Sequence, residues 1–149
     1  KLLPDNLGTK LEKTGYRYGQ VPFQQFLVQH AEKPGAGWGI FGDAALSDGN
    51  PNPFRWRVTG GIGGNNLMER RELDRWGVGY FRYAISPTLL NWLELAGVKR
   101  HKAEQGVEAF YNLAITPWFR VSADLQWIDP WERQKRNVVV GAVRTQIRF

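Results

Sequence analysis

Arg120, Ser122, Asp124 and Gln126 occupy alternate positions, and Phe119, Val121, Ala123, Leu125 and Trp127 fill the places between them. A period of two puts the four polar groups on one face of a strand. Arg144, Gln146 and Arg148 alternate in the same way with Val143, Thr145, Ile147 and Phe149, and Arg55 and Arg57 with Trp56 and Val58. Glu108 and Asn112 share a parity opposite Val107, Ala109 and Tyr111. Guanidinium, carboxylate and amide groups mixed on one face both donate and accept. That is the chemistry that meets a ligand rich in hydroxyls rather than a ligand of one charge. Taken singly, the same residues read equally well as cross-strand partners that satisfy one another.

Bond-making chemistry finds less support. His30 and His101 stand far apart in the chain with no partner at ligand spacing, which suits two surface histidines better than a metal site or an acid-base pair. The run Gly60-Gly61-Ile62-Gly63-Gly64-Asn65-Asn66 lacks the lysine of a phosphate loop and has Asn66 where a dinucleotide fingerprint needs Gly. Glu108 and Asp124 could move protons, but nothing pairs them with a nucleophile, and the chain has no Cys. The expectation is no enzyme, no metal and no cofactor.

The elements that must carry the polar faces follow from composition and turn chemistry. The chain has 149 residues, a net charge of +6, 42% hydrophobic residues and a negative mean hydropathy, so it fits one domain. No run of eighteen apolar residues exists, which excludes a helical membrane protein. Lys and Arg are scattered instead of clustered, so a nucleic-acid partner is not expected. The chain opens at Lys1 without the apolar core of a signal peptide, which places any export signal upstream or among processed residues. Seventeen Gly, seven Trp, eight Phe and five Tyr suggest tightly curved β-structure.

Seven strands are expected, near residues 21–32, 36–46, 54–63, 75–85, 105–115, 119–127 and 138–149, the last running to the chain end. In 75–85 the apolar residues fall on both parities, Trp76, Val78 and Tyr80 against Phe81, Tyr83 and Ile85, so a bulge is expected there. Lys33-Pro34-Gly35 and Thr116-Pro117-Trp118 read as short turns, 86–104 as a long loop holding one or two helical turns within 88–96, and the first twenty residues as loop with at most one weak strand.

Alternation suits a soluble β-sandwich as well as a membrane barrel. The aromatics favour the barrel. Phe119 and Trp127 share a parity eight residues apart. That is about 26 Å along a strand and about 20 Å along the membrane normal after a tilt of about 40°. Trp118, Phe119 and Trp127 are thus expected in aromatic girdles, with Val121, Ala123, Leu125 and Gly60 toward lipid. On this reading Arg replaces Val121 or Leu125 at a cost to folding, whereas Ser122 tolerates it. Arg55, Arg57, Glu108, Asn112, Arg120, Asp124, Gln126, Arg144, Gln146 and Arg148 would line the lumen. Terminal Phe149, with Ile147 and Val143 on its parity, resembles the signal by which outer-membrane barrels are recognised for assembly.

Longer blocks resemble a known family. They are Trp38-Gly39-Ile40-Phe41-Gly42, the loop from Asp48-Gly49-Asn50 through Pro53 with Arg55-Trp56, Gly61-Ile62-Gly63-Gly64, the run from Glu104 to Asn112, Ile115-Thr116-Pro117-Trp118, Asp124-Leu125-Gln126 and Asp129-Pro130. In this order they are similar to the C-terminal part of the carbohydrate-selective porin family, OprB type, over residues 37–149, with residues 1–20 weakly matched. The resemblance implies an all-β, antiparallel transmembrane barrel of sixteen strands in the bacterial outer membrane, through which sugars such as glucose diffuse passively. Its partners would be carbohydrate substrates, outer-membrane lipid and, through the C-terminal strand, the barrel-assembly machinery.

Seven or eight strands make up only part of such a barrel, so residues 1–149 are expected to form one partial barrel domain, a fragment or truncated product. An odd strand count also excludes an ordinary closed antiparallel barrel. Two alternatives remain at this stage: a small eight-stranded outer-membrane barrel, if the first twenty residues supply a strand, and a soluble carbohydrate-binding β-sandwich. Nothing in the residues sets an oligomeric state.

Overall fold

Strands patterned in two faces must pair laterally before their backbone groups are satisfied. In the computed structural model, which describes residues 15–29, 31, 36–49, 52–65, 71–97, 101–132 and 135–149, they do so in strict chain order. The elements are β1 (Tyr18–Gln29), β2 (Gly37–Ser47), β3 (Phe54–Asn65), β4 (Arg75–Ile85), α1 (Pro87–Leu95), β5 (Glu104–Ala114), β6 (Phe119–Asp129) and β7 (Val138–Ile147). All seven strands form one antiparallel meander, β1 to β7, each bonded to its sequence neighbours.

The strands differ from expectation in detail. β1 begins at Tyr18 instead of near residue 21, so it takes in part of the supposed N-terminal loop, and it is described as far as Gln29. β7 stops at Ile147, with the Arg148 N–H still donating to the Trp118 carbonyl at 2.9 Å and Phe149 beyond the last pair. β4 contains no bulge. Residues 75–84 pair with β3 in unbroken register, and the shifts fall on β3 between Phe54 and Trp56 and on β1 between Phe26 and Val28. The tight turn at 115–118 is present: Phe119 N donates to Thr116 Oγ1 at 2.9 Å, and the Phe119 carbonyl accepts from Ile115 and Thr116. Lys33-Pro34-Gly35, His30 and residues 1–14 lie outside the described residues.

The helical segment is α1. Ser86 caps it, its Oγ accepting from Leu89 N at 3.2 Å, and Pro87 opens the first turn, where no N–H is needed. Ser86 N donates to the Pro53 carbonyl at 2.7 Å, and Gly49, at φ +77°, leaves room for the Ser86 side chain. The loop between β2 and β3 therefore holds the start of the long connection between β4 and β5.

Among the described residues no second layer covers the sheet. Among the described residues the only buried apolar side chains are Ala45 and Ala114. A sandwich needs a second sheet against the first, and the described residues contain none, so that alternative fails on architecture.

At the end carrying the C-terminus, Asp74 fastens the β3–β4 connection to the β5–β6 turn. It is 2% exposed and accepts from Arg71 Nε and Nη2 at 2.8 Å each, Tyr111 OH at 2.5 Å and Ala114 N at 2.8 Å. Burial alone would raise its carboxyl pKa. The bonds from Arg71, Tyr111 and Ala114 outweigh that and hold it below the usual carboxylate range. A lowered folded value means the stabilisation is complete above about pH 3.9 and is lost as pH falls through the folded pKa. Asp74→Ala should cost about 1–3 kcal/mol, because it leaves the Tyr111 hydroxyl and the buried Ala114 N–H without their acceptor, while half-exposed Arg71 turns to water. Urea titration of the folded barrel should show a drop in midpoint at pH 7, shrinking below pH 4. An equal midpoint for both proteins at pH 7 would refute this role.

Candidate functional site

Register sorts the side chains into two faces. Opposite pairs share a face. One face carries Arg57, Thr59 and Asp43, Glu108 against Gln126, Asn112 against Ser122, Ser122 against Arg144, and Arg120 against Gln146. By alternation Asp124 and Arg148 join them. Arg55 sits at the β3 register shift, where its Nη1 donates to the Ser47 carbonyl at 2.5 Å. Nine of the ten residues singled out in the sequence therefore come from the polar parity, and the register leaves Arg55 unpaired at the shift.

They fall into three groups. On β1–β3, Asp43 accepts from Arg57 Nη2 at 2.6 Å, Gln20 Nε2 at 3.0 Å and Thr59 Oγ1. The cross-strand reading thus holds for Arg57. On β5–β6, Glu108 and Asp124 lie diagonally within reach of each other, while Asn112 donates to Ser122 Oγ at 2.6 Å and accepts from Arg120 Nη1 at 3.2 Å. Gln126, Arg144, Gln146 and Arg148 make no side-chain hydrogen bond or ion pair among the described residues. Ser122 corrects the sequence reading: it is buried, bonded to Asn112 and opposite Arg144, so it has no room for a further Arg.

Sequence reasoning missed aromatic residues on the same face. Phe41 lies opposite Gly61, Phe81 opposite Gly106 and Phe110 opposite Gly77. A Cβ at Gly61 would come 2.8 Å from Phe41 Cζ, one at Gly106 2.6 Å from Phe81 Cζ, and one at Gly77 2.6 Å from Phe110 Cε1. Each ring is therefore seated on bare main chain of the next strand. Tyr83 continues the group, edge-on to Phe54 at 4.6 Å and donating to Glu104. The glycines on matching parity were the available signal. A shallow basin floored by Gly39 and Gly63 and flanked by Phe26, Phe41, Phe110 and Arg75 lies toward the C-terminal end of this face.

The other face is apolar and bare. Val21, Leu46, Leu125, Val139, Val143 and Ile147 are all exposed, Leu125 at 58% and Val143 at 77%. Trp38, Trp76 and Tyr111 are linked along one pairing row through Gly64. Trp127 lies in a row with Val107 and Tyr80. Trp118, in the turn, leans on Phe119 at 6.1 Å. Of the histidines, His101 stacks on Trp131 at 5.3 Å, and the described residues hold no cluster of His, Cys, Asp and Glu able to bind a metal.

An open sheet with a solvated polar face and a bare apolar face is a strip of barrel wall: lipid can cover one side and water the other. Comparisons with known proteins agree. The model of the family "Carbohydrate-selective porin, OprB family" matches residues 3–149, reaching back well before the recognisable motif blocks. A solved structure, the high pH structure of Pseudomonas putida OprB, superposes with a TM-score of 0.73 at 19% identity, covering 86% of this chain and 34% of that one. The chain thus spans about a third of the length of that porin. No curated protein matches the sequence.

Proposed function

Since the chain belongs to the carbohydrate-selective porin family, we propose that it is a partial barrel domain, the C-terminal part of an outer-membrane channel through which sugars diffuse passively, with no chemical step. Gram-negative outer membrane is the setting, and lipid meets the apolar face. The observation that carries the reading is the division of one sheet between a bare apolar face and a face of mixed donors, acceptors and aromatic rings. Sugar hydroxyls need both donors and acceptors, and the Asp43–Arg57–Gln20 group, Gln126 and Gln146 supply them. The exposed edge of β7 and fully exposed Phe149 suit recognition by the barrel-assembly machinery.

Liposome swelling with the complete barrel tests the channel. Glucose should enter down its gradient without an energy source. Gln126→Trp, on the polar face, should slow entry several-fold, and Val139→Trp, on the apolar face, should not. Equal effects of the two substitutions would overturn the assignment of faces, and a folded, inserted barrel that passes no sugar would overturn the channel. Deleting Phe149 should lower the amount of folded barrel in the outer membrane and leave the conductance of each inserted pore unchanged. Normal insertion without Phe149 would remove its assembly role.

A further inference from the structure

Four arginines converge where the polar face approaches the C-terminal end of the sheet. Arg120 on β6 pairs with Gln146 on β7, so Arg144 and Arg148, two places to either side, are its diagonal neighbours at about 7–8 Å between Cα atoms. Arg75 on β4 pairs with Asn112, the residue that accepts from Arg120 Nη1 at 3.2 Å, and Asn112 pairs through Ser122 to Arg144. The groups among them, Asn112, Ser122 and Gln146, are neutral.

Among the described residues no carboxylate forms an ion pair with any of the four, although the field of Asp74 reaches Arg120. Asp74, just before Arg75, has its oxygens taken by Arg71, Tyr111 and Ala114. Asp124 lies diagonal to Arg144 but forms no ion pair with it among the described residues. Arg120 is 7% exposed, and its Nε finds no acceptor. Like charges on diagonal positions repel, and a guanidinium buried with an orphan donor is costly unless an anion meets it. A planar fork is matched by an oxyanion that accepts two bonds at once.

We propose that Arg75, Arg120, Arg144 and Arg148 form an oxyanion station that takes the charged group of an acidic monosaccharide, either a sugar acid or a sugar phosphate. The inference rests on the channel reading and names a substrate class for it. Asn112, Ser122 and Gln146 lie between the arginines, where the hydroxyls of such a sugar would fall.

The test uses the complete barrel in planar bilayers and, separately, calorimetric titration of the detergent-folded protein. Glucuronate, glucose 6-phosphate, inorganic phosphate and glucose are the probes. Glucuronate or glucose 6-phosphate should block current, and bind, at concentrations at least ten-fold below glucose. Whichever is tighter identifies the carboxylate or the phosphate as the source. R120Q combined with R144Q should raise the half-blocking concentration of the acidic sugar at least ten-fold relative to that of glucose, and R144K should raise it less. Heat-modifiable gel mobility establishes that each variant is folded.

If glucose passes but acidic and neutral sugars bind alike, the station is overturned and the channel stands. If inorganic phosphate blocks as well as glucose 6-phosphate, the sugar part of the proposal fails. If the folded barrel conducts nothing, the channel reading fails, and the calorimetric arm still decides whether the arginines bind an oxyanion.

Discussion

Leu125→Arg should largely prevent the barrel from folding into bilayers. Leu125 projects from the bare face of β6 between Ala109 and Gly141, two places from Trp127 and six from Phe119. A cation costs about 2–4 kcal/mol at mid-depth and less toward the girdles, so the cost at Leu125, between Trp127 and mid-depth, falls toward the lower end of that range. The sign is diagnostic, because a surface residue 58% exposed in a water-soluble protein would accept Arg within about 0.5 kcal/mol. Combined with Val143→Arg, at its diagonal neighbour on β7, the loss should exceed that of either change alone. Gln126→Arg, one residue along and on the opposite face, is the control in place of Ser122, which has no space. Folding yield into vesicles, read by gel mobility before and after heating, gives the answer: equal yields for Leu125→Arg and Gln126→Arg would end the membrane reading.

Expressed alone, the 149-residue chain should form no uniform channel as a monomer. β1 bonds only to β2 and β7 only to β6, so among the described residues both outer edges are unpaired. Alternate residues of an edge strand point N–H and C=O outward, leaving roughly ten such groups per edge at several kcal/mol each in lipid. The sum, tens of kcal/mol by that principle, exceeds what any single strand pair returns. The chain should therefore aggregate, pair with a second copy or stay unfolded, whereas within a complete barrel each edge has a neighbour. Stable, sugar-blockable channels traced to single copies would show that it closes by itself.

Much of this architecture was legible in the sequence where the two faces meet different surroundings. β5, β6 and β7 alternate cleanly because one face is bare and apolar and the other polar, and their parities came out correctly. β4 misled because its aromatics divide between the faces. Trp76, Val78 and Tyr80 point outward, while Phe81 and Tyr83 sit on the polar face, Phe81 on Gly106. An alternation rule reads a Phe on the polar face as an irregularity and invokes a bulge. The real register shift, between Phe54 and Trp56, leaves no mark in polarity. β1 was displaced for a similar reason: Gln24 and Gln25 fall on opposite faces, so neither parity is cleanly polar. The arginine cluster was visible only as scattered charge, because its members lie on three strands and only register brings them together.

The rings seated on glycine bear on the calibre of the proposed channel. With Phe41 on Gly61, Phe81 on Gly106 and Phe110 on Gly77, each ring rests directly on main chain, and a single methyl beneath it would have to displace it. Side chains that lie against a floor of backbone lose most of their freedom to swing. If this face lines the proposed channel, its wall along β2 to β5 is a set of plates seated on backbone, and its bore is governed by hydrogen-bonded strand spacing more than by rotamer exchange. Such a bore changes little from moment to moment, which gives a sieve a sharp size limit and leaves residues without side chains as the gauge that sets it.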